Sequence, residues 1–193
     1  MKPAITESLQ VVREVSGVFR RMGIAHALGG SMASSIHGEP RQTYDADITA
    51  EPFPGRESEF ASYFGSGYYV DAESIRSAIR HRSSFNILQM HLGFKVDVFI
   101  QKDRAFERFA MQRRIEKPLS ESPGDVIAVL TPEDILLHKL EWFRLGGEVS
   151  DRQWSDILGV LRVQAGRLDD EYLDYWANDL KVADLLREAR SQV

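Results

Sequence analysis

The chain has 193 residues, with 24 Lys+Arg against 29 Asp+Glu, a formal net charge of −5, 43% hydrophobic and 27% charged residues. This is the composition of an ordinary globular protein, which excludes intrinsic disorder and collagen-like structure, and the mild acidity argues against a protein that coats nucleic acid over a broad surface. There are no cysteines, so disulfide frameworks, zinc–thiolate sites, iron–sulfur clusters and thiol nucleophiles are excluded, and any metal must be held by oxygen or imidazole.

The N-terminal stretch MKPAITESLQVVREV scatters polar residues through its apolar positions, unlike a signal peptide. No run approaches the ~18 apolar residues of a membrane span, so a cytoplasmic protein without membrane contact is expected. Residues 4–22 carry Leu9, Val12, Val15, Val18 and Phe19 at spacings of three and four, which predicts an amphipathic helix ending at Gly23. Ile24 to Leu28 then reads as a short strand running into Gly29-Gly30-Ser31, with a short helix from Met32 to near Gly38. Thr43 to Ala50 has strand length and β-branched content, and Pro52 and Pro54 end it.

Residues 55–66 read as helix and 67–71 as a short strand, followed by a basic helical stretch with Arg76, Arg80 and Arg82. Ser84–Met90 and Phe94–Ile100 predict a hairpin around His91-Leu92-Gly93. A helix near 102–111 and a strand near 126–130 complete an α/β unit over residues 1–130. From Thr131 the period is helical: Thr131 is an N-cap with Pro132 behind it, Gly146-Gly147 closes that helix, and Ser150 with Gln153 forms a capping box. Trp154, Ile157, Leu158 and Leu161, then Leu173, Trp176 and Leu180, then Val182, Leu185, Leu186 and Ala189 continue the stripe pattern. Residues 131–193 are therefore expected to form a helical bundle packed on the α/β unit.

Three segments carry chemistry: Leu28-Gly29-Gly30-Ser31, Arg41-Gln42-Thr43-Tyr44-Asp45-Ala46-Asp47-Ile48 and Lys95-Val96-Asp97-Val98-Phe99-Ile100. Asp45 and Asp47 share one face of a strand and can reach one metal or a close pair of metals. Asp97 stands in an otherwise apolar strand, where a carboxylate without partners is costly to bury. If the two strands are neighbours, three carboxylates converge, and hard oxygen ligands of this kind select Mg²⁺ or Mn²⁺. The Gly-Gly-Ser turn between strand and helix offers close backbone approach and helix N-terminal N–H groups to an anion such as a triphosphate.

These residues resemble the nucleotidyltransferases of the DNA polymerase β superfamily. The family signature is an apolar residue, Gly, then Gly or Ser, a gap of about nine to thirteen residues, Asp-x-Asp flanked by apolar residues, and a third acidic residue on an adjacent strand. Here thirteen residues separate Gly30-Ser31 from Asp45. Two departures are Gly29, where an apolar residue is usual, and the weakly apolar Ala46. The stretch Thr131–Leu140, with Arg152 to Asp156, looks like the helical region of the bacterial abortive-infection toxin branch. The resemblance covers most of residues 24–161.

The resemblance implies an α/β (α+β) fold, a mixed sheet flanked by helices with a C-terminal helical bundle, and an NTP bound with two Mg²⁺. It implies in-line attack of an acceptor hydroxyl on the α-phosphate, with RNA such as tRNA, a protein or a small molecule as acceptor. It also implies a toxin role with a cognate antitoxin as partner. Asp45 and Asp47 would bridge both metals, and Asp97 would bind the catalytic metal and help deprotonate the acceptor. Ser31 with the backbone of Gly29 and Gly30 would hold the β/γ-phosphates, and Lys139 and Arg41 would reach the triphosphate.

Other readings stand beside these. Asp-x-Asp is short and can sit solvated on an exposed face, the glycines can serve a turn alone, and Lys139 can snorkel at the edge of the bundle. Arg152 and Asp156, at i and i+4, can be a surface pair. The five histidines show no paired zinc spacing, and the three tryptophans sit at core spacings. Arg76, Arg80, His81 and Arg82, with Arg104, Arg108, Arg113, Arg114 and Lys117, are either solvated helix faces or a guide for an acceptor RNA. A catalytically silent member that binds a nucleotide or a partner, and a phosphohydrolase using the same carboxylates on water, are the alternatives to transfer.

Overall fold

Seven strands form one mixed sheet in the computed structural model, which describes residues 5–119 and 125–193. In chain order they are β1 (His26–Gly29), β2 (Asp45–Ala50), β3 (Tyr68–Tyr69), β4 (Ser84–Gln89), β5 (Phe94–Ile100), β6 (Ile115–Pro118) and β7 (Val126–Val129). Their spatial order is β3-β4-β5-β2-β1-β7-β6. β2 with β5 and β1 with β7 run parallel, and the remaining neighbours are antiparallel. The mixed sheet with helices is the expected fold class.

Two units divide the chain. The first is Met1–Gly29 with Gln42–Val129, and the second is Gly30–Arg41 with Leu130–Val193. The first holds the sheet together with α1 (Ile5–Arg21), α3 (Glu57–Ser62), α4 (Ala72–His81) and α5 (Ala105–Arg113). Strand alternation sorts the sheet's two faces. Ala46, Ile48 and Ala50 of β2 and Val96, Val98 and Ile100 of β5 point to the core with 2% exposure or less, so the intervening Asp45, Asp47 and Asp97 share the other face. Ala46, though only weakly apolar, is fully buried in the sheet.

The stripe on α1 that the spacing predicts is the buried one: Val12, Val15 and Phe19 are fully covered. Phe19 stacks on His26 and meets Phe53 and Phe60, and Phe60 packs edge-on to Phe85. Each such fully buried aromatic contributes roughly 2–3 kcal/mol of transfer free energy. The predicted start of α1 at residue 4 lies outside the described residues. β6 escapes the sequence reading because Ile-Glu-Lys-Pro has no alternation of its own. It is an edge strand formed by pairing with β7, from Ile115 opposite Val129 to Pro118 opposite Val126, and proline is tolerated at such an edge.

The second unit is helical: α2 (Gly30–His37), α6 (Pro132–Leu145), α7 (Asp151–Val163), α8 (Asp170–Asp179) and α9 (Ala183–Arg190). Thr131 caps α6 by accepting from the Asp134 N–H, and Asp169 caps α8 through the Tyr172 N–H. At α7 the Ser150 hydroxyl accepts from the Gln153 N–H at 3.4 Å, but the reciprocal half of the predicted box is missing, since Gln153 Oε1 has no hydrogen-bond partner. Leu136, Leu140, Ile157, Val160, Leu173 and Leu186 are buried to 1% exposure or less and form this unit's core. α2 lies against α7 so closely that a Cβ on Gly38 would stand 2.7 Å from the backbone nitrogen of Val160. Only glycine allows that approach, and it sets where the chain after α2 meets α7.

Candidate active site

The sheet register builds the first group of functional side chains. Asp47 of β2 lies opposite Asp97 of β5 on one side and Gly29 of β1 on the other, and Asp45 lies opposite Lys95. The three carboxylates thus share one face of two adjacent strands. Asp97 keeps 15% of its side chain exposed, so its carboxylate meets solvent at the sheet surface. Lys95 Nζ lies 2.7 Å from Asp97 Oδ2, and Asn86, directly opposite on β4, donates to Asp97 Oδ1. Thr43 Oγ1 donates to Asp45 Oδ1 at 2.9 Å. The sequence pattern gives no role to Lys95 or Thr43 within their segments, nor to Asn86. Lys95 and Asn86 lie on the alternation of their strands, a signal that becomes informative once the strand order is known.

Carboxylates without imidazole or thiolate are a hard donor set, which suits Mg²⁺ or Mn²⁺. The Lys95 ammonium is held protonated more firmly than usual, chiefly by its hydrogen bond to Asp97, which outweighs the opposing effect of burial, with smaller contributions from the charges of Asp97, Asp45 and Asp47.

The second group belongs to the helical unit. Gly30 has φ of +55°, a left-handed conformation that a side chain strains, and it opens α2, followed at once by Ser31. Arg41, after α2, donates from Nη2 to Ser31 Oγ at 2.6 Å. The same guanidinium grips Asp156 of α7 with two bonds, Nε to Oδ1 at 2.6 Å and Nη2 to Oδ2 at 2.8 Å. Lys139 of α6 donates to Asp156 Oδ2 at 2.8 Å. Burial works against an ionised Asp156, but hydrogen bonds from Arg41 and Lys139 outweigh it and hold its carboxyl below the usual range.

Arg41 and Lys139 therefore share the Asp156 carboxylate, and Ser31 joins the group through Arg41. Asp156 partners Arg41 and Lys139, whereas Arg152 is exposed. Lys139 is 7% exposed, a buried lysine and not a snorkelling one. The sequence holds no local sign of this network, because Arg41 and Asp156 are 115 positions apart.

Several residues of the two basic stretches have local partners. Arg76 pairs with Glu73, Arg104 with Glu107 and Arg108 with Asp103, while Arg82 and Arg114 donate to the carbonyls of Gln101 and Met111. His26 bonds Ser16 and the Ile24 carbonyl, and His37 bonds the Leu130 carbonyl. An open cavity of about 500 Å³ lined by Arg20, His26, Gln112 and Arg114 lies at the His26 end of β1. That end is opposite Gly29, so the cavity is separate from the carboxylates.

No family model matches the chain, and no curated protein matches it in sequence. Solved structures do. The antibiotic-resistance factor ANT(2'')-Ia superposes with a TM-score of 0.54 at 11% identity, covering 98% of this chain and 99% of that one. An antigenic nucleotidyltransferase-like protein from Paracoccidioides brasiliensis gives 0.57 at 15% identity, covering 98% and 94%. The chain has a nucleotidyltransferase-like fold. A Thermotoga maritima protein assigned to the nucleotidyltransferases gives 0.50 at 17% identity, covering 80% and 96%. At such identities the nucleotidyltransferase-like fold is what is shared, and the chemistry must be argued from this chain's own residues. Among the described residues no helix is long and apolar enough to cross a membrane.

Proposed function

We propose that the protein transfers a nucleoside monophosphate from an NTP to an acceptor hydroxyl, using Mg²⁺ or Mn²⁺ held by Asp45, Asp47 and Asp97. The observation that carries this reading is the β2–β5 register, which puts Asp47 opposite Asp97 on the face that also presents Asp45, within a nucleotidyltransferase-like fold. Bound divalent cations would neutralise phosphate charge and lower the pKa of the acceptor hydroxyl. The acceptor oxygen forms a bond to the α-phosphorus as the bond to the bridging oxygen breaks, and pyrophosphate leaves with that electron pair. Asp97 takes part in removing the acceptor proton.

The triphosphate is assigned to the cationic group: Ser31, the backbone N–H groups at Gly29-Gly30 and the start of α2, Arg41 and Lys139. In this role Asp156 is a positioning residue that fixes the guanidinium and the ammonium. The acceptor is an RNA such as tRNA, a protein, or a small molecule. A toxin role with a cognate antitoxin belongs to the same proposal, and growth arrest on expression, relieved by a neighbouring gene product, would support it.

The test is transfer of label from α-labelled ATP, GTP, CTP and UTP, with Mg²⁺ or Mn²⁺, onto tRNA, protein and aminoglycosides. Wild type is compared with Asp45→Asn/Asp47→Asn. Label on one acceptor class with wild type alone supports transfer and names nucleotide and acceptor. Phosphate release without labelling points to hydrolysis. Metal-dependent NTP binding with neither product points to a silent binding protein.

A further inference from the structure

We infer that Lys95 is a tethered counter-ion of the carboxylate group, holding it together in the metal-free protein and giving way when a divalent cation binds. The inference deepens the proposed function and rests on its carboxylate reading. Strand alternation puts Lys95 and Asp97 on the same face of β5, and the register sets Lys95 directly opposite Asp45. Its ammonium contacts Asp97 Oδ2 at 2.7 Å, and its charge is felt by Asp45 and Asp47 as well.

Three carboxylates on neighbouring positions repel one another, and a nearby cation lowers that cost. Lys95 supplies one from within the chain. Its stem is 46% exposed while Asp97 is 15% exposed, so the ammonium reaches in from solvent and can swing out again at little packing cost. Asn86 holds the other oxygen of Asp97 and is the positioning residue that keeps this carboxylate aimed when the lysine leaves. A divalent ion would then bind by exchange, displacing the ammonium from Asp97 Oδ2, and the protein's metal affinity is weaker than its bare carboxylates would give.

The experiment measures Mn²⁺ binding by calorimetry on nucleotide-free wild type, Lys95→Met and Lys95→Arg, with thermal melts in EDTA and in Mn²⁺. Lys95→Met is expected to bind Mn²⁺ about fivefold tighter, the scale of one half-exposed ion pair. It should also melt lower than wild type in EDTA and gain more from Mn²⁺, while Lys95→Arg, which keeps the charge, stays near wild type. A purely structural ion pair would lower the melt without tightening metal binding, so unchanged or weaker Mn²⁺ affinity in Lys95→Met overturns the inference. Lys95→Gln replaces the Met variant if that fails to fold. If wild type binds Mn²⁺ no better than Asp45→Asn/Asp47→Asn, the metal reading itself falls and this inference with it; if only the Lys95 variants disappoint, the metal reading stands.

Discussion

Replacing Asp156 by Asn removes the carboxylate that Arg41 and Lys139 share. Breaking a buried ion pair by removing one partner typically costs about 3–5 kcal/mol. Lys139 keeps only 8% of its side chain exposed and cannot rehydrate in place, whereas Arg41 keeps 27% and can in part. The expected loss is therefore at the lower end, about 3 kcal/mol, equivalent to roughly 6–12 °C in melting temperature for a chain of this size. All three tryptophans, Trp142, Trp154 and Trp176, lie in the helical unit, so urea unfolding followed by tryptophan fluorescence reads the unit concerned. Adding Lys139→Met to Asp156→Asn should recover part of the loss, giving a coupling of about 1 kcal/mol or more. Because the Asp156 carboxyl is held below its usual range, the wild-type advantage is full above the ordinary aspartate pKa. It shrinks as pH falls through the lower folded value. A loss under about 1 kcal/mol, with additive single changes, would mean a solvated surface pair and would refute the buried network.

Two further outcomes are expected. Gly38→Ala should destabilise by about 1–3 kcal/mol in the same urea assay, since the new methyl meets the Val160 backbone at 2.7 Å and no side chain can yield. For His26, burial outweighs the opposing Ile24 carbonyl bond and pushes the ring's pKa down, with smaller contributions from the charges of Arg20 and Arg114. A depressed pKa gives stability that is present above the ordinary histidine value of about 6.5 and lost as pH falls through the folded value. Melts between pH 7 and 5 should therefore drop more steeply for wild type than for His26→Gln; parallel profiles would contradict the burial argument.

Much of the fold is legible in short-range pattern. The β4–β5 hairpin shows itself because apolar alternation is interrupted by a tight turn, and α6 because Thr131-Pro132 is a start signal read from two adjacent residues. β6 is illegible for the complementary reason: its conformation comes from β7, not from Ile-Glu-Lys-Pro. At the candidate site, alternation alone picks out Asp45, Asp47 and Asp97, but their adjacency depends on a parallel β2–β5 pairing across some fifty positions of chain. Lys139 could be read as a surface lysine because its partner, Asp156, stands on α7, seventeen positions away. The one exposed residue of the suggested i,i+4 pair, Arg152, is the local neighbour that sequence logic prefers and the three-dimensional packing does not use.

The helical unit is discontinuous in the gene, since Gly30–Arg41 belongs with Leu130–Val193. During synthesis at 5–20 residues per second, α2 emerges on the order of ten seconds before α6 can cover it. Met32, Ala33, Ser34 and His37, all buried in the finished protein, spend that interval without their helical partners. β1 waits as well, because its parallel neighbour β7 ends only at Val129. A chain stopped near residue 130 would carry a completed sheet and an α2 whose buried face has no helical partners, a natural target for chaperone or protease.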